Sequence, residues 1–209
     1  MQDLVHQFME GLRQTKLPEF IAVLTGIASV WLSKKENIWL YPVGLVNTII
    51  YVVLSVQGEL YGEASVNFYY TVVSIYGWII WARKNEAHQH VLVVTTSTGR
   101  QWLGHLLFFT AFYIAIYCAL IYLKHAFYAN TIPWADAFAS ATAYTGMWLM
   151  ARKKVESWFW WIATDFASVP LYFVKGFVFT SVYYFILLIL AVSGWLEWKR
   201  RAALQSVTA

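Results

Sequence analysis

The sequence predicts an all-α membrane protein with seven transmembrane helices in a 3+1+3 arrangement, in which two parallel three-helix repeats flank one linking helix. Three observations predict this fold: the composition, seven long apolar stretches and an internal repeat. Of the 209 residues, 60% are hydrophobic and only 12% are charged, whereas about 25% are charged in an ordinary soluble domain. These charges are too few to cover the surface of a soluble protein, so lipid must cover part of the chain.

Seven stretches are long and apolar enough for transmembrane helices, each of which needs about 20 residues. They lie near residues 18–33, 38–56, 64–82, 103–123, 134–151, 157–174 and 177–197. The second, third, fifth and sixth stretches are the most polar, so we expect them to pack against protein or a cavity. The residues before the first stretch are amphipathic and lack the continuous apolar core of a signal peptide.

The distribution of Lys and Arg predicts the orientation in the membrane. With the N-terminus outside, eleven of the 15 basic residues fall in cytoplasmic segments and four in external segments. The positive-inside rule therefore places the N-terminus outside and the C-terminus in the cytoplasm. Because the basic residues lie in short clusters between apolar stretches, they do not form the continuous basic face that nucleic acid requires.

An internal repeat relates the first three stretches to the last three. The sequence Gly77-Trp78-x-x-Trp81 recurs as Gly194-Trp195-x-x-Trp198, 117 residues later, and Asn47 matches Asp165 at a spacing of 118. One linking helix between two odd-numbered units keeps those units parallel. The alternative is that aromatic and basic helix ends resemble each other by chance, because both anchor at the membrane interface.

The chain therefore divides into five predicted parts. These are an N-terminal amphipathic segment, a first repeat, a loop with the linking helix, a second repeat and a C-terminal tail, at residues 1–17, 18–82, 83–133, 134–201 and 202–209.

The sixth stretch carries the strongest candidate for a ligand site. On a helix, Trp158, Trp161, Asp165 and Tyr172 share one face. A carboxylate deep in a membrane costs several kcal/mol, so Asp165 is predicted to line a watery cavity and to meet a cation. The alternatives are a structural pair with a polar or basic neighbour, or a protonated carboxyl. The two indoles offer faces to a cationic ring, although Trp158 could instead belong to an aromatic belt.

Polar and aromatic residues elsewhere are further candidates for this site. Asn47 and Tyr51 lie one turn apart in the second stretch, Asn67 and Tyr70 lie in the third, and Tyr184 matches Asn67 through the repeat. Buried Asn and Tyr side chains can equally join helices to one another, which is the alternative for each of them.

No motif for catalysis or metal binding accompanies these residues. The single cysteine excludes a disulfide within the chain, and His88 and His90 have no Cys or acidic cluster beside them to complete a metal site. The lone Asp165 lacks the partner that acid–base hydrolysis needs. We therefore predict neither an enzyme nor a bound cofactor.

Three motifs resemble the PnuC family of bacterial vitamin transporters: residues 152–165, Tyr172-x-x-Lys175-Gly176, and Tyr76-Gly77-Trp78-x-x-Trp81. The resemblance extends from about residue 19 to residue 201. It implies an architecture similar to the SWEET sugar carriers, a homotrimer, and a location in the bacterial inner membrane. It also implies that Trp158 and Trp161 contact the substrate and that Asn67 stands where the family often has Gln or Asn.

The same resemblance implies facilitated uptake of nicotinamide riboside, which a cytoplasmic kinase then retains by phosphorylation. Asp165 occupies a position that is Asn in some members and Asp in others, and relatives carry thiamine or riboflavin. Nicotinamide riboside and thiamine are both cationic aromatic molecules, so indoles beside a carboxylate suit either, whereas riboflavin is neutral. We therefore expect a uniporter for nicotinamide riboside, with a thiamine carrier or a non-transporting vitamin sensor as alternatives. A channel is disfavoured because bulky indoles suit occlusion better than conduction.

Overall fold

The computed structural model of the chain describes residue 6 and residues 9–12, 16–57, 61–84, 92–127 and 132–208. The fold is all-helical, as predicted. The seven helices that we number are α1 (Leu17–Lys34), α2 (Leu40–Gln57), α3 (Tyr61–Ala82), α4 (Gly99–Phe127), α5 (Pro133–Ala151), α6 (Glu156–Val174) and α7 (Val178–Thr208). The loop residues His88 and His90 lie outside the described residues.

Local sequence signals explain several of the helix ends. Proline stands in the first turn of α1 and of α5, where its missing N–H costs no hydrogen bond. At the start of α4 the side chain of Gln101 accepts from the Thr98 backbone N–H, and the Thr98 hydroxyl accepts from the Gln101 N–H. This reciprocal pair is a capping box. After α1 and α5, Glu36 and Lys153 adopt positive φ angles of 58° and 52°.

Four of the helices are long and apolar enough to cross a membrane by length and composition alone, namely α1, α2, α4 and α7. Of the second, third, fifth and sixth stretches, which the sequence predicted to be the most polar, the last three correspond to α3, α5 and α6 outside this group, whereas the second corresponds to α2 within it. Most of the middle and end of α5 is buried, from Ala141 to Gly146 and from Leu149 to Ala151. Helix α5 is less apolar than its neighbours, and contacts with other parts of the protein cover much of its surface.

Six helices form a closed ring of contacts. In the order α1, α2, α3, α5, α6 and α7, each helix packs against the next, and α7 returns to α1. Helix α4 packs against α5 from outside this ring. Residues on the inner sides of the ring helices therefore face one shared interior.

Equivalent contacts recur 117 residues apart on the two sides of this ring. In the first half Tyr41 lies on Gly77, and in the second half Trp158 lies on Gly194. Tyr41 also meets Trp81 edge to face with ring centroids 5.2 Å apart, and Trp158 meets Trp198 in the same way at 5.6 Å. A glycine is needed at each contact because a Cβ there would collide with the ring.

The same tryptophans also join the two halves to each other. The Trp81 indole N–H donates to the Ala151 carbonyl oxygen at 2.9 Å, and the Trp198 N–H donates to the Ser33 carbonyl oxygen at 3.0 Å. The Trp81 bond supplies a donor from the opposite half to the Ala151 carbonyl at the C-terminal end of α5. The Trp198 bond adds a second donor to the Ser33 carbonyl near the end of α1, which also accepts from the Glu36 backbone N–H. The halves are thus held together by two reciprocal hydrogen bonds at one end of the bundle.

A buried ion pair lies at the same end. Lys153 Nζ donates to Glu36 Oε1 at 2.6 Å and stands 4.5 Å from the centre of the Trp81 ring. Arg201 adds a second contact to the other carboxylate oxygen of Glu36, at 3.3 Å. Glu36 and Lys153 are themselves 117 residues apart, so the pair joins two equivalent positions.

The spacing of 117 also holds inside the second helix of each half. Tyr41 and Trp158 make equivalent contacts, and α2 and α6 run without interruption beyond them. The structure therefore aligns Asn47 with Thr164, and Asp165 with Thr48. The sequence match of Asn47 to Asp165 at 118 was off by one residue, because it compared polar side chains without the packing contacts that fix the register.

Candidate functional site

The ring interior contains a cluster of aromatic side chains around Trp161 of α6. The Trp161 indole lies on Gly146 of α5, where an added Cβ would come within 3.3 Å of the ring. Its ring centroid is 6.1 Å from that of Tyr70 on α3, which is in turn 6.2 Å from that of Tyr144 on α5. Trp161 and Tyr70 are only half-buried, so both keep surface that a ligand can contact.

Asp165 lies one turn further along α6 and is 2% exposed. Its carboxyl lies within electrostatic range of the hydroxyl groups of Tyr70, Tyr183 and Tyr184. Among the residues that the structure describes, no basic side chain forms an ion pair with it. A carboxyl without a cationic partner in an apolar interior is costly, so a bound cation would offset that cost.

Three tyrosines continue the cluster from Asp165 along α6 and α7. Tyr172 stacks on Tyr184 with ring centroids 5.1 Å apart and ring planes 13° from parallel. Tyr183 meets Tyr184 at 5.6 Å, and its hydroxyl lies against Gly26 of α1. The cluster therefore draws side chains from α3, α5, α6 and α7 and reaches the backbone of α1.

The candidates on α2 stand at the edge of this cluster. The Asn47 side-chain amide donates to the Ala22 carbonyl oxygen at 2.6 Å and so joins α2 to α1. This is the helix-joining alternative that the sequence left open, although the amide also lies beside the Tyr183 hydroxyl at Gly26. Tyr51, one turn later on α2, lies within electrostatic range of Tyr183. Asn67 is half-buried on α3, one turn before Tyr70.

Trp158 occupies a different environment from the other predicted site residues. It is 1% exposed and belongs to the hydrophobic core with Tyr41, Trp81 and Trp198. Its ring covers Gly194, and its indole N–H has no hydrogen-bond partner among the described residues. The structure thus gives Trp158 a packing position, about one helical turn from Trp161. This position lies at the end of the helix ring where Lys153 pairs with Glu36.

Sequence reasoning missed three members of the cluster: Tyr144, Tyr183 and the glycine under the Trp161 indole, Gly146. The repeat carried a signal for the last of these. At a spacing of 117, Trp161 and Gly146 correspond to Gly44 and Ser29, and these also touch, with an added Gly44 Cβ only 3.2 Å from the Ser29 Oγ. The contact between the first two helices of each half is therefore made by the large Trp161 on Gly146 in the second half. In the first half it is made by the small Gly44 on Ser29.

This arrangement can bind a flat molecule. The indole and phenol faces can stack on an aromatic ring, and each contact with a cationic ring contributes about 0.5–2 kcal/mol. Asp165 adds a carboxyl group, which supplies negative charge when it is ionised, while the tyrosine hydroxyls can donate and accept hydrogen bonds. Among the described residues no three His, Cys, Asp or Glu side chains are grouped closely enough to hold a metal ion.

Comparison with known proteins identifies the family. The model of the nicotinamide mononucleotide transporter family matches residues 16–200. The chain belongs to this family. The nicotinamide riboside transporter PnuC of Escherichia coli strain K12 is 24% identical over 204 residues, which covers 88% of this chain and 85% of that protein. The riboflavin/roseoflavin transporter RibM of Streptomyces davaonensis is 25% identical over 185 residues, with the same coverage.

A solved structure shares the fold. The crystal structure of the vitamin B3 transporter PnuC superimposes with a TM-score of 0.70 at 23% identity, and covers 96% of this chain and 88% of that one. The resemblance to PnuC transporters that the sequence motifs indicated is therefore confirmed. Family membership makes the chain a membrane transporter of the inner membrane rather than an enzyme.

Proposed function

We propose that this transporter carries a cationic aromatic vitamin, and that nicotinamide riboside is its substrate. The observation that carries the proposal is the pairing of Trp161 with Asp165 in the ring interior. Asp165 is buried without a basic partner among the described residues, and Trp161 presents a half-exposed indole one turn away. A positively charged pyridinium ring could stack on the indole and offset the cost of the buried carboxylate.

The remaining predicted site residues take supporting roles in this proposal. Three tyrosines would line the space around the pyridinium ring and the ribose of the substrate, namely Tyr70, Tyr172 and Tyr184. Their hydroxyls can hydrogen-bond sugar oxygens there. Asn67 and Tyr51 would border the same space from α3 and α2. Trp158 and Asn47, whose contacts are with protein, would hold the helices that form its walls.

We propose that the substrate moves by alternating access between two parallel three-helix units in a seven-helix 3+1+3 arrangement like that of SWEET carriers. The recurrence of Tyr41 on Gly77 as Trp158 on Gly194 supports the repeat, and α4 outside the ring suits a linking helix. Rocking of the two units would open the interior to one side at a time. Asp165 is the only buried carboxyl among the described residues, which supports a uniporter rather than proton coupling.

The cellular setting is proposed from the resemblance to PnuC transporters. The protein would assemble as a homotrimer in the bacterial inner membrane, with its N-terminus outside and its C-terminus in the cytoplasm. A cytoplasmic kinase would phosphorylate the vitamin and so prevent its return. Light scattering of the purified protein tests the trimer, and labelling of single cysteines placed at each end of α1 tests the orientation.

Uptake into proteoliposomes tests the transport proposal directly. Vesicles that contain the purified protein should take up labelled nicotinamide riboside until the inside and outside concentrations are equal, with or without a proton gradient. Uphill accumulation driven by protons would contradict the uniporter. Calorimetric binding without uptake would instead establish the vitamin sensor, and uptake of thiamine alone would assign the same scaffold to thiamine.

Two substitutions test the site itself. Asp165→Asn should weaken nicotinamide riboside binding about tenfold or more, because a charge-assisted contact contributes about 1.5–3 kcal/mol. Its matched control is Glu197→Gln, since Glu197 pairs with Arg200 and Arg201 near the end of α7 and contacts no member of the aromatic cluster in any of its ion pairs. Trp161→Phe should also weaken binding, whereas Trp160→Phe should not, because Trp160 faces Trp102 and Phe109 of α4. Equal effects of a variant and its control would contradict this site.

Riboflavin is the second candidate substrate, because RibM is as similar to this chain as PnuC of Escherichia coli. Riboflavin is neutral, so its binding should not depend on the charge of Asp165. Riboflavin binding that is unchanged by Asp165→Asn, together with no nicotinamide riboside binding by the unmodified protein, would favour this candidate.

A further inference from the structure

A cavity separate from the aromatic cluster lies outside the helix ring, between α4 and α5. It lies at the basic end of the bundle, which is the end that carries Arg152, Lys153 and Arg201. Its volume is about 290 Å³, and it is lined by residues of α4, of α5 and of the turn that follows α5. The part of the lining near the helix ends is polar and basic, with Gln101, Arg152 and Lys154. The deeper part is apolar, with Phe108 and Leu149. None of these residues belongs to the aromatic cluster around Trp161.

Arg152 provides a positioned positive charge at this cavity. Its guanidinium carbon lies 4.2 Å from the centre of the Trp148 ring, and that ring is itself stacked against Tyr76 and Phe108. The guanidinium forms no ion pair with any residue that the structure describes. The face of the Trp148 ring therefore holds the guanidinium at the cavity, while its planar fork of donors stays available for an anion.

Lys154 adds a second charge whose position is also fixed. Its ammonium donates to Thr95 Oγ1 at 3.0 Å and to Gln101 Oε1 at 3.4 Å, which leaves one of three N–H donors available. The nearby carboxylate of Glu156 already accepts from the Ser97 backbone N–H and hydroxyl, at 2.8 and 2.7 Å. That carboxylate is thus held by the loop before α4, and the cavity keeps an excess of positive charge.

The position of the cavity indicates what kind of anion can reach it. Helix α4 lies outside the ring and exposes Leu103, Leu106 and Leu107, as expected for a helix that faces lipid. A cavity between this helix and α5 has a basic opening at the helix ends and an apolar floor at greater depth. Basic pockets of this kind between transmembrane helices suit lipid phosphate groups.

We propose that this cavity binds an anionic phosphate group, which Arg152 and Lys154 hold by hydrogen bonds. A phosphate offers several oxygens to the fork of a guanidinium and to an ammonium at once. The chemistry is shared by the headgroup of an anionic phospholipid and by free phosphate. The apolar floor favours the lipid, because Phe108 and Leu149 could contact the start of an acyl chain.

The two halves of the molecule offer a matched control. Lys35 lies over Trp31 at 3.8 Å, which repeats the contact of Arg152 with Trp148 at a spacing of 117 residues. Among the described residues no helix stands beside α1 as α4 stands beside α5. Lys35→Gln therefore removes one cation from an indole at the same end of the molecule without changing the cavity.

Native mass spectrometry of the delipidated protein in neutral detergent, titrated with phosphatidylglycerol or with phosphatidylcholine, tests the proposal. We expect one phosphatidylglycerol to bind more tightly than phosphatidylcholine. Arg152→Gln should weaken it about tenfold, the loss expected for a hydrogen bond to a charged group, and Lys35→Gln should leave it nearly unchanged. Arg152→Lys should give an intermediate affinity, and unchanged melting temperatures would show that the variants fold.

Competition with inorganic phosphate identifies the source of the anion. If millimolar phosphate displaces the lipid from the unmodified protein, the site takes free phosphate as well, and if it does not, the site is specific for the lipid. Equal weakening by Arg152→Gln and Lys35→Gln would overturn the proposal, because it would show general attraction to a basic surface. Equal binding of the two phospholipids would overturn it too.

Discussion

The ion pair between Lys153 and Glu36 makes an asymmetric prediction about stability. The Lys153 side chain is 5% exposed and that of Glu36 is 17% exposed, with 2.6 Å between the charged atoms. Glu36 has a second cationic partner in Arg201, whereas Lys153 has, among the described residues, only the face of Trp81 besides Glu36. The loss in free energy of unfolding should therefore depend on which partner is removed. We expect Glu36→Met to be more destabilising than Lys153→Met.

The magnitudes follow from what each substitution leaves behind. Glu36→Met leaves a buried ammonium without a counter-ion, which costs about 3–5 kcal/mol in comparable buried pairs. Lys153→Met leaves a carboxylate that still has Arg201 and some solvent, so we expect about 1–2 kcal/mol, close to one lost charged hydrogen bond. The double variant Glu36→Met/Lys153→Met leaves no unpaired buried charge at Lys153, and it should be more stable than Glu36→Met alone.

Equilibrium unfolding in mixed micelles of neutral detergent and SDS, followed by tryptophan fluorescence, gives the free energy of unfolding of all four proteins. A Lys153→Met variant that is as unstable as Glu36→Met would refute this reasoning. Strict additivity in the double variant would refute it as well, because residues in direct contact should show a coupling energy of at least about 0.5 kcal/mol.

Two further substitutions test the packing and the helix signals. Gly194→Ala should lower the free energy of unfolding by about 1–3 kcal/mol in the same assay, because the new Cβ would lie 2.5 Å from the Trp158 ring. Its control is Gly104→Ala, where the Cβ meets nothing within 4 Å, and this change should be neutral or stabilising. Equal losses of unfolding free energy in the two variants would contradict the packing. Thr98→Ala removes the hydroxyl that accepts from the Gln101 N–H. This change should lower the free energy of unfolding by about 0.5–2 kcal/mol. No change in that free energy would show that the cap contributes little.

Composition and local patterns were sufficient to predict the helices and the family. The seven predicted stretches overlap the helices α1–α7, because long runs of apolar residues with few charges favour helices, and four of these helices are long and apolar enough to cross a membrane. Proline at the start of α1 and α5, and the capping box of α4, are local signals that a sequence shows directly. The sequence also singled out Trp161 and Asp165 as candidate site residues, because a carboxyl and an indole on one face of a buried helix are unusual wherever that helix packs.

The environment of each candidate depended on contacts between distant parts of the chain. Trp158 and Trp161 share a face of α6 in the sequence, but Gly194 and Trp198 from α7 enclose the first, while the second keeps exposed surface beside Tyr70 of α3. Tyr183 entered the cluster because Gly26 on α1 leaves space for its hydroxyl.

The register of the repeat was decided in the same way. The Gly-Trp-x-x-Trp motifs fitted a spacing of 117 and the match of Asn47 to Asp165 fitted 118, and the packing of Tyr41 on Gly77 and of Trp158 on Gly194 selected 117. A sequence determines which faces of its helices are apolar, polar or aromatic, since those depend on residues three and four apart. Which faces meet depends on close packing of side chains from several helices at once, and this was settled only in the tertiary structure.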